Sequence, residues 1–327
     1  MARMQIKKRP TVVTLVGAKG GVGTSVLALN LAMALARLEH QVVLVEADLE
    51  GAGVGTMLGR AEGAPGIAQW MAAKRQKLDS ALGPEIEPRL RLLARGSAMA
   101  PPNPHPQKKR KLTTGLKRLE AEFVVVELGR GLMAQDLALD SHGCIAVFTP
   151  ERTALHGLQT LATALAVRAL ESHLRENSTA RGLLEQFRTS GGELAGLVKE
   201  LGNIKTLKRS PGEIIGQLRI KLVANRLKNV EDMACAREAA GMVQEATGLV
   251  AEVIGFIPED PLVTASIANA TPALELEPRA RFSKAIALLA LGLEPWAARG
   301  AQWADRPAES GSFERAASAF APIFQEV

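Results

Sequence analysis

The residues best placed to do chemistry form one run near the N-terminus, Gly17-Ala18-Lys19-Gly20-Gly21-Val22-Gly23-Thr24-Ser25. Glycine tolerates left-handed backbone, so the N–H groups of Gly20, Gly21, Val22, Gly23 and Thr24 can turn inward and surround an anion. A helix beginning at the end of the run adds the partial positive charge of its N-terminus. Ser25 offers a hydroxyl at the offset where such loops ligate Mg2+. A strand before the run and a helix after it set it apart from an ordinary tight turn. The implied chemistry is capture of a phosphate chain together with a divalent cation.

The elements that must hold this loop are legible around it. Thr11–Gly17 is a short β-branched run that predicts a strand, and Ser25–Leu38 has the apolar spacing of a helix. Further strands are expected at Gln41–Ala47, Leu90–Ala94, Phe123–Leu128, Cys144–Thr149, Ile220–Ala224 and Val250–Ile257. Helices are expected at Pro65–Lys74, Gln107–Ala121, Thr153–Asn177, Arg181–Leu201 (broken at Gly191–Gly192), Val230–Ala246 and Arg279–Leu293. The prolines at 101, 102, 104 and 106 force a loop over 98–106. Strands apolar throughout, alternating with helices, imply an α/β fold: a doubly wound, mostly parallel sheet with helices on both faces. The expected organisation is a basic arm at 1–10, a nucleotide-binding domain at 11–293 with a helical insertion at about 175–212, and a loosely attached tail at 294–327. Within the insertion, 202–212 reads as a basic linker.

Composition narrows the function further. Apolar residues make up 47% and charged residues 23% of the 327, the balance of a globular protein. With no Tyr, 8 Phe and 3 Trp, stacking platforms for single-stranded nucleic acid are disfavoured. Cys144 and Cys235 are too few for a disulfide framework or a structural zinc site. No apolar run reaches the roughly 18–20 residues needed to span a bilayer, and no export signal is read, so a cytoplasmic protein without a transmembrane segment is expected. The net charge is +6. Lys108, Lys109, Arg110, Lys111, Lys117 and Arg118 lie together with no acid between 100 and 118. That cluster either attracts phosphate backbones or anionic surfaces, as weak non-specific binding, or is a solvated helix face.

The loop, followed by a series of further motifs, resembles the MinD/ParA group of P-loop ATPases, whose loop reads K-G-G-x-G-K-[ST]. Val43–Gly59 resembles that group's second strand and switch I, and Phe123–Gly131 its Walker B strand and switch II. Phe148–Ala154 (FTPERTA), Leu222–Arg226 (LVANR) and Ile254–Val263 (IGFIPEDPLV) are similar to later family motifs. The matches run in order from Thr11 to Leu293 and look closest to the FlhG/FleN-type branch. The resemblance implies ATP and Mg2+ as cofactors, with Lys19, Asp48 and Glu127 as catalytic residues. Gly20, Gly21, Val22, Gly23, Thr24, Ser25, Asn225 and Pro258 would hold the nucleotide, and Ser25 with Glu127 the metal. In the family, Lys19's counterpart reaches the partner's phosphates across a nucleotide-dependent homodimer, the switch I aspartate orients the attacking water, and the asparagine faces adenine.

The chain also departs from the pattern. Thr24 stands where the family has its second lysine, a degenerate Walker A also seen in CpaE/TadZ relatives. A neutral hydrogen bond of about 1 kcal/mol replaces a charge-assisted one of roughly 1.5–3 kcal/mol, so affinity falls by about one to two orders of magnitude. Glu46 and Glu127 lengthen two carboxylates that are aspartates in relatives; each reads either as a ligand-side acid or as a charged strand end meeting solvent. Arg130, in switch II, reads as near the nucleotide or as ordinary surface. The expected function is a nucleotide-dependent switch with slow hydrolysis that positions or regulates a cellular structure, the alternative a pseudo-ATPase scaffold. Protein partners of a polar, flagellar, pilus or division system are implied, with a location at a cell pole or peripheral to the membrane. In the tail, Ser312–Val327 has a partial apolar face (Phe313, Phe320, Ile323, Phe324) that Pro322 interrupts, and it carries the wrong charge for an anionic bilayer, so docking onto its own domain or a partner is expected.

Overall fold

Strands whose side chains are apolar on both faces must be covered on both faces, and the computed structural model places helices accordingly. It describes residues 9–49, 53–59, 66–73, 76–96, 105–129, 131–299 and 311–325. The chain begins with β1 (Thr11–Gly17), α1 (Thr24–Arg37), β2 (Val42–Glu46), α2 (Val54–Met57), α3 (Ile67–Ala72), β3 (Glu85–Glu87) and β4 (Leu90–Leu93). Next come α4 (Pro106–Leu116), β5 (Phe123–Leu128), α5 (Leu132–Asp140), β6 (Gly143–Phe148), α6 (Arg152–Leu174), α7 (Ser178–Ser190) and α8 (Leu194–Gly202). The remainder is α9 (Pro211–Gly216), β7 (Arg219–Leu227), α10 (Ala234–Thr247), β8 (Val250–Pro258), α11 (Pro261–Ala268), α12 (Ala273–Leu276), α13 (Arg281–Arg299) and α14 (Ser312–Gln325).

The chain divides into two units. The first holds the residues up to Val16, then Gly23–His142, and those from Asp260 through α13. Its strands run in the order β3-β4-β2-β5-β1, parallel except for β3 against β4. β5 lies between β2 and β1, and its Phe123, Val124, Val125 and Val126 are fully buried. α1 packs on β2, β4 and β5 and against α12 and α13, so every residue from Leu27 to Ala36 is buried. A helix covered all round needs a partner for each polar group, and Asn30 has two: it donates to Val26 O and accepts from Leu274 N. The parallel register sets Glu46 directly beside Glu127 at the C-terminal ends of β2 and β5.

The second unit holds Gly17–Val22, Gly143–Glu259 and α14. β6, β7 and β8 are parallel neighbours in that order. α10 packs on β7, β8 and α6, while α7 and α8 pack on each other. Gly191 and Gly192, both at positive φ, end α7 and separate it from α8.

Several expectations need correction. Leu90–Leu93 is the fourth strand, because the antiparallel β3 precedes it in a segment too short and acidic to read as a strand. The 202–212 stretch is not all linker: Ser210 caps α9 in a reciprocal box with Glu213. The closing helix runs past Pro295 to Arg299. The end of the tail is not loosely attached: α14 packs on β8, with Phe313 and Phe320 edge-on to Phe256 at 5.8 and 6.0 Å. Its Phe320 is 3% exposed, and Pro322 stands inside the helix without ending it. The basic arm at 1–8, Arg130 and most of the proline-rich loop lie outside the described residues. No helix among the described residues is long and apolar enough to cross a membrane.

Candidate functional site

β1 ends at Gly17, and the chain turns through Gly21 (φ 81°) and Gly23 (φ 89°), left-handed values that only glycine takes without strain. Gly23 is the N-cap of α1, yet no side chain caps the helix and its first turn carries no acid. The first-turn N–H groups therefore donate to no N-cap side chain, which suits an end that receives an anion. Among the described residues, no atom lies within 4 Å of the place a Cβ would take at Gly20 or Gly21. Its first part, Gly17–Val22, belongs to the second unit, and the rest to the first.

In the first unit, Ser25 Oγ donates to Glu127 Oε1 at 2.8 Å. Glu127 is 2% exposed, and its other oxygen, Oε2, is buried with no hydrogen-bond partner. Burial pushes this carboxyl from 4.5 up to about 7; the Ser25 hydrogen bond opposes the rise, and the charges of Asp48 and Glu46 add to it. Asp48 presses on the backbone just after β5 so closely that a Cβ at Gly129 would fall under 3.0 Å from its Oδ1. Glu46, 4% exposed, accepts from Arg95 N at 3.0 Å and fills the space beside Gly53. Neither glutamate is a strand end meeting solvent, and that reading is overturned. Glu46 anchors the chain after β4, whereas Glu127 keeps one oxygen uncommitted.

An uncommitted buried carboxylate oxygen beside a hydroxyl fits Mg2+, which takes one or two protein oxygens and completes its octahedron with phosphate and water. Among the described residues no group of three His, Cys, Asp or Glu side chains could hold a metal. The fit is therefore to a cation shared with a phosphate ligand, not to a protein cage.

The second unit holds the start of the loop in place. Ala18 N donates to Val147 O at 2.8 Å, and Gly157 in α6 sits against Ala18 O so tightly that a Cβ there would approach under 3.0 Å. Lys19 Nζ donates to Thr153 Oγ1 at 2.9 Å and lies 3.6 Å from Glu151. Glu151 is held below its usual carboxylate range by the Thr149 hydroxyl first, then by Lys19. Asn225 is 4% exposed; its Nδ2 donates to Val22 O at 2.8 Å and its Oδ1 accepts from Arg226 N at 2.9 Å. Arg226 has φ 61°, so this bond also secures a left-handed turn. Both ends of the Asn225 amide are thus bonded to the protein's own backbone. Pro258 is buried at the end of β8.

The structure brings Ser25, Glu127 and Asp48 together within the first unit, and Lys19 and Asn225 to the loop's start within the second. Sequence reasoning missed Glu151 and Thr153 as partners of Lys19, although FTPERTA contains both. It also missed the anchoring role of Glu46, for which no local signal exists.

Residues 8–90 match the ParA family model described as NUBPL iron-transfer P-loop NTPase. Among curated proteins, none matches the chain. Solved structures share the fold. The septum site-determining protein MinD complexed with Mg-ADP from Pyrococcus horikoshii OT3 is 18% identical, with TM-score 0.57 over 90% of this chain and 99% of that one. A ParA family ATPase from Chlorobium tepidum TLS is 18% identical, with TM-score 0.54 over 87% and 98%. The MinC:MinD cell division protein complex from Aquifex aeolicus gives 19% identity and TM-score 0.54 over 87% and 96%. The chain has the α/β fold of these ATPases.

Proposed function

We propose that this chain is a MinD/ParA-type P-loop protein that binds ATP with Mg2+ and acts as a nucleotide-dependent switch. Binding pairs two copies, and slow hydrolysis separates them. The observation that carries this reading is the pairing of Ser25 with a buried Glu127 whose Oε2 has no partner, one helical step after an open glycine turn. The Mg-ADP complex of a fold relative points the same way.

The residues divide the work. Backbone N–H groups from Gly20 to Thr24 and the α1 N-terminus would take the phosphates. Ser25 and Glu127 would hold Mg2+, which when bound neutralises phosphate charge. Asp48 would orient the attacking water, and its closeness to Gly129 would couple the segment after β2 to the one after β5. Asn225 fixes Val22 O and so shapes the loop, whatever base is bound. Lys19 would leave Glu151 and Thr153 to reach a partner's phosphates.

Thr24 weakens the grip on the terminal phosphate most where charge shifts, in the transition state, so turnover is slow. Glu46 favours a second reading, a pseudo-ATPase scaffold: its carboxylate is already committed to Arg95 N. Mass measurement separates the possibilities. ATP with Mg2+ should double the mass, Lys19→Ala should abolish the doubling, and Thr24→Lys should raise phosphate release. A monomer under all conditions refutes the switch, and doubling with no phosphate release even in Thr24→Lys favours the scaffold. The FlhG/FleN-type branch, and a protein partner in a polar, flagellar, pilus or division system, follow from the same motif resemblance.

A further inference from the structure

A cavity of about 680 Å³ lies in the first unit, where α4 faces α3 and the turn after it. Trp70, Lys77, Lys108, Arg110, Lys111 and Arg118 line it, with Asp79 the single acid among its lining residues. One wall is fixed in advance. Trp70 is 5% exposed and its Nε1 donates to Gln76 O at 3.0 Å. Lys108 donates to Ala73 O and stands over the Trp70 ring, 5.5 Å from its centre.

The cations of α4 and of the two residues after it fall into two sets. Lys109 and Lys117 turn to α5, where they meet Asp136 at 3.6 Å and Asp140 at 2.8 Å. Arg110, Lys111 and Arg118, with Lys77 opposite, line the cavity and have no ion-pair partner among the described residues. The unpaired set is exposed, and all four line the same half-open concavity. Like charges gathered in a concavity repel one another, and an anion with several charges relieves that repulsion. Guanidinium groups suit phosphate oxygens by their forked geometry. The volume is that of a small-molecule site.

We propose that this cavity is a second anion site, separate from the glycine loop, that takes a small ligand carrying several phosphates. The probe is tripolyphosphate, titrated calorimetrically into the full chain at low salt. Binding should persist in Gly21→Val, which disrupts the glycine loop, and weaken as salt rises. Arg110→Gln with Lys111→Gln should weaken it by about tenfold or more, because both side chains are exposed and their loss leaves the fold intact. Lys117→Gln, whose charge is already paired, should change it less than about twofold. Thermal unfolding checks each variant; if Gly21→Val does not fold, the contrast between the Arg110/Lys111 pair and Lys117 in the unaltered loop decides alone. No heat, equal losses at Lys117 and at the Arg110/Lys111 pair, or loss confined to Gly21→Val would overturn the site. A short DNA duplex that binds more tightly and displaces tripolyphosphate would reassign the cavity to nucleic acid and overturn the small-ligand proposal.

Discussion

Glu127→Gln gives the sharpest test of how the acid beside Ser25 is held in the free protein. In the native chain its carboxyl is pushed from 4.5 to about 7, chiefly by burial. The folded state therefore keeps a proton on Glu127 that the unfolded state has already released. Stability from this group is complete below about pH 4.5 and is lost as pH rises through about 7. Between about pH 5 and 8 the loss amounts to about 2.5 kcal/mol, from roughly 1.4 kcal/mol per pKa unit. Glutamine cannot titrate, so the variant lacks this slope. It retains an acceptor for Ser25 Oγ but places an amide N–H where Oε2 has no partner, a constant cost of about 1–3 kcal/mol. Urea unfolding with EDTA, comparing variant and wild type at each pH, should show the difference moving in the variant's favour by that amount as pH rises. A difference independent of pH would refute the account of a buried, uncompensated carboxylate. Mg2+ with ATP should relieve the wild-type penalty at high pH, so that it stabilises the wild type more than the variant there.

Other outcomes follow from single contacts. Asn225→Ala leaves Val22 O and Arg226 N without their buried partner and should cost about 2 kcal/mol in urea unfolding. It should also weaken ATP and GTP equally in competition binding; selective loss of ATP would show instead that the amide reads adenine. Gly157→Ala drives a Cβ into the Ala18 carbonyl and should destabilise by about 1–3 kcal/mol, read as a lower Tm with weaker nucleotide binding. Phe320→Ala empties the contact between α14 and Phe256 and should cost about 3–4 kcal/mol, with the far-UV signal of one helix lost first on heating.

The fold was legible because its signals are local and strong. β5 is apolar along its length, and α1 is followed by the acid-tipped β2, so a buried parallel sheet was the reading the residues favoured. The glycine turn was legible for the same reason: Gly21 and Gly23 sit at φ values other residues avoid. What escaped depends on contacts across long sequence separations. Glu46 meets Arg95 N, and Lys19 meets Thr153, through pairings that no periodicity encodes. β3 escaped because three residues with two glutamates carry no strand pattern. Pro295, Pro307, Pro322 and a Gly/Ser cluster make 294–327 read as a loose tail, yet Phe256 supplies a surface that the phenylalanines of α14 cover, in line with the expected docking of its apolar face. The sorting of α4's cations needed α5 in place, since Asp136 and Asp140 decide which lysines are paired.

The central claim is that the glycine turn and the Ser25–Glu127 pair bind a nucleotide's phosphates with a divalent cation. Calorimetric titration of the full chain with ATP, with Mg2+ and then with EDTA, tests it most directly. Saturable heat is expected with Mg2+, weaker binding without it, and a smaller Mg2+ effect once Glu127 is Gln. Absence of heat under both conditions, or a Mg2+ effect of undiminished size in Glu127→Gln, would contradict the claim.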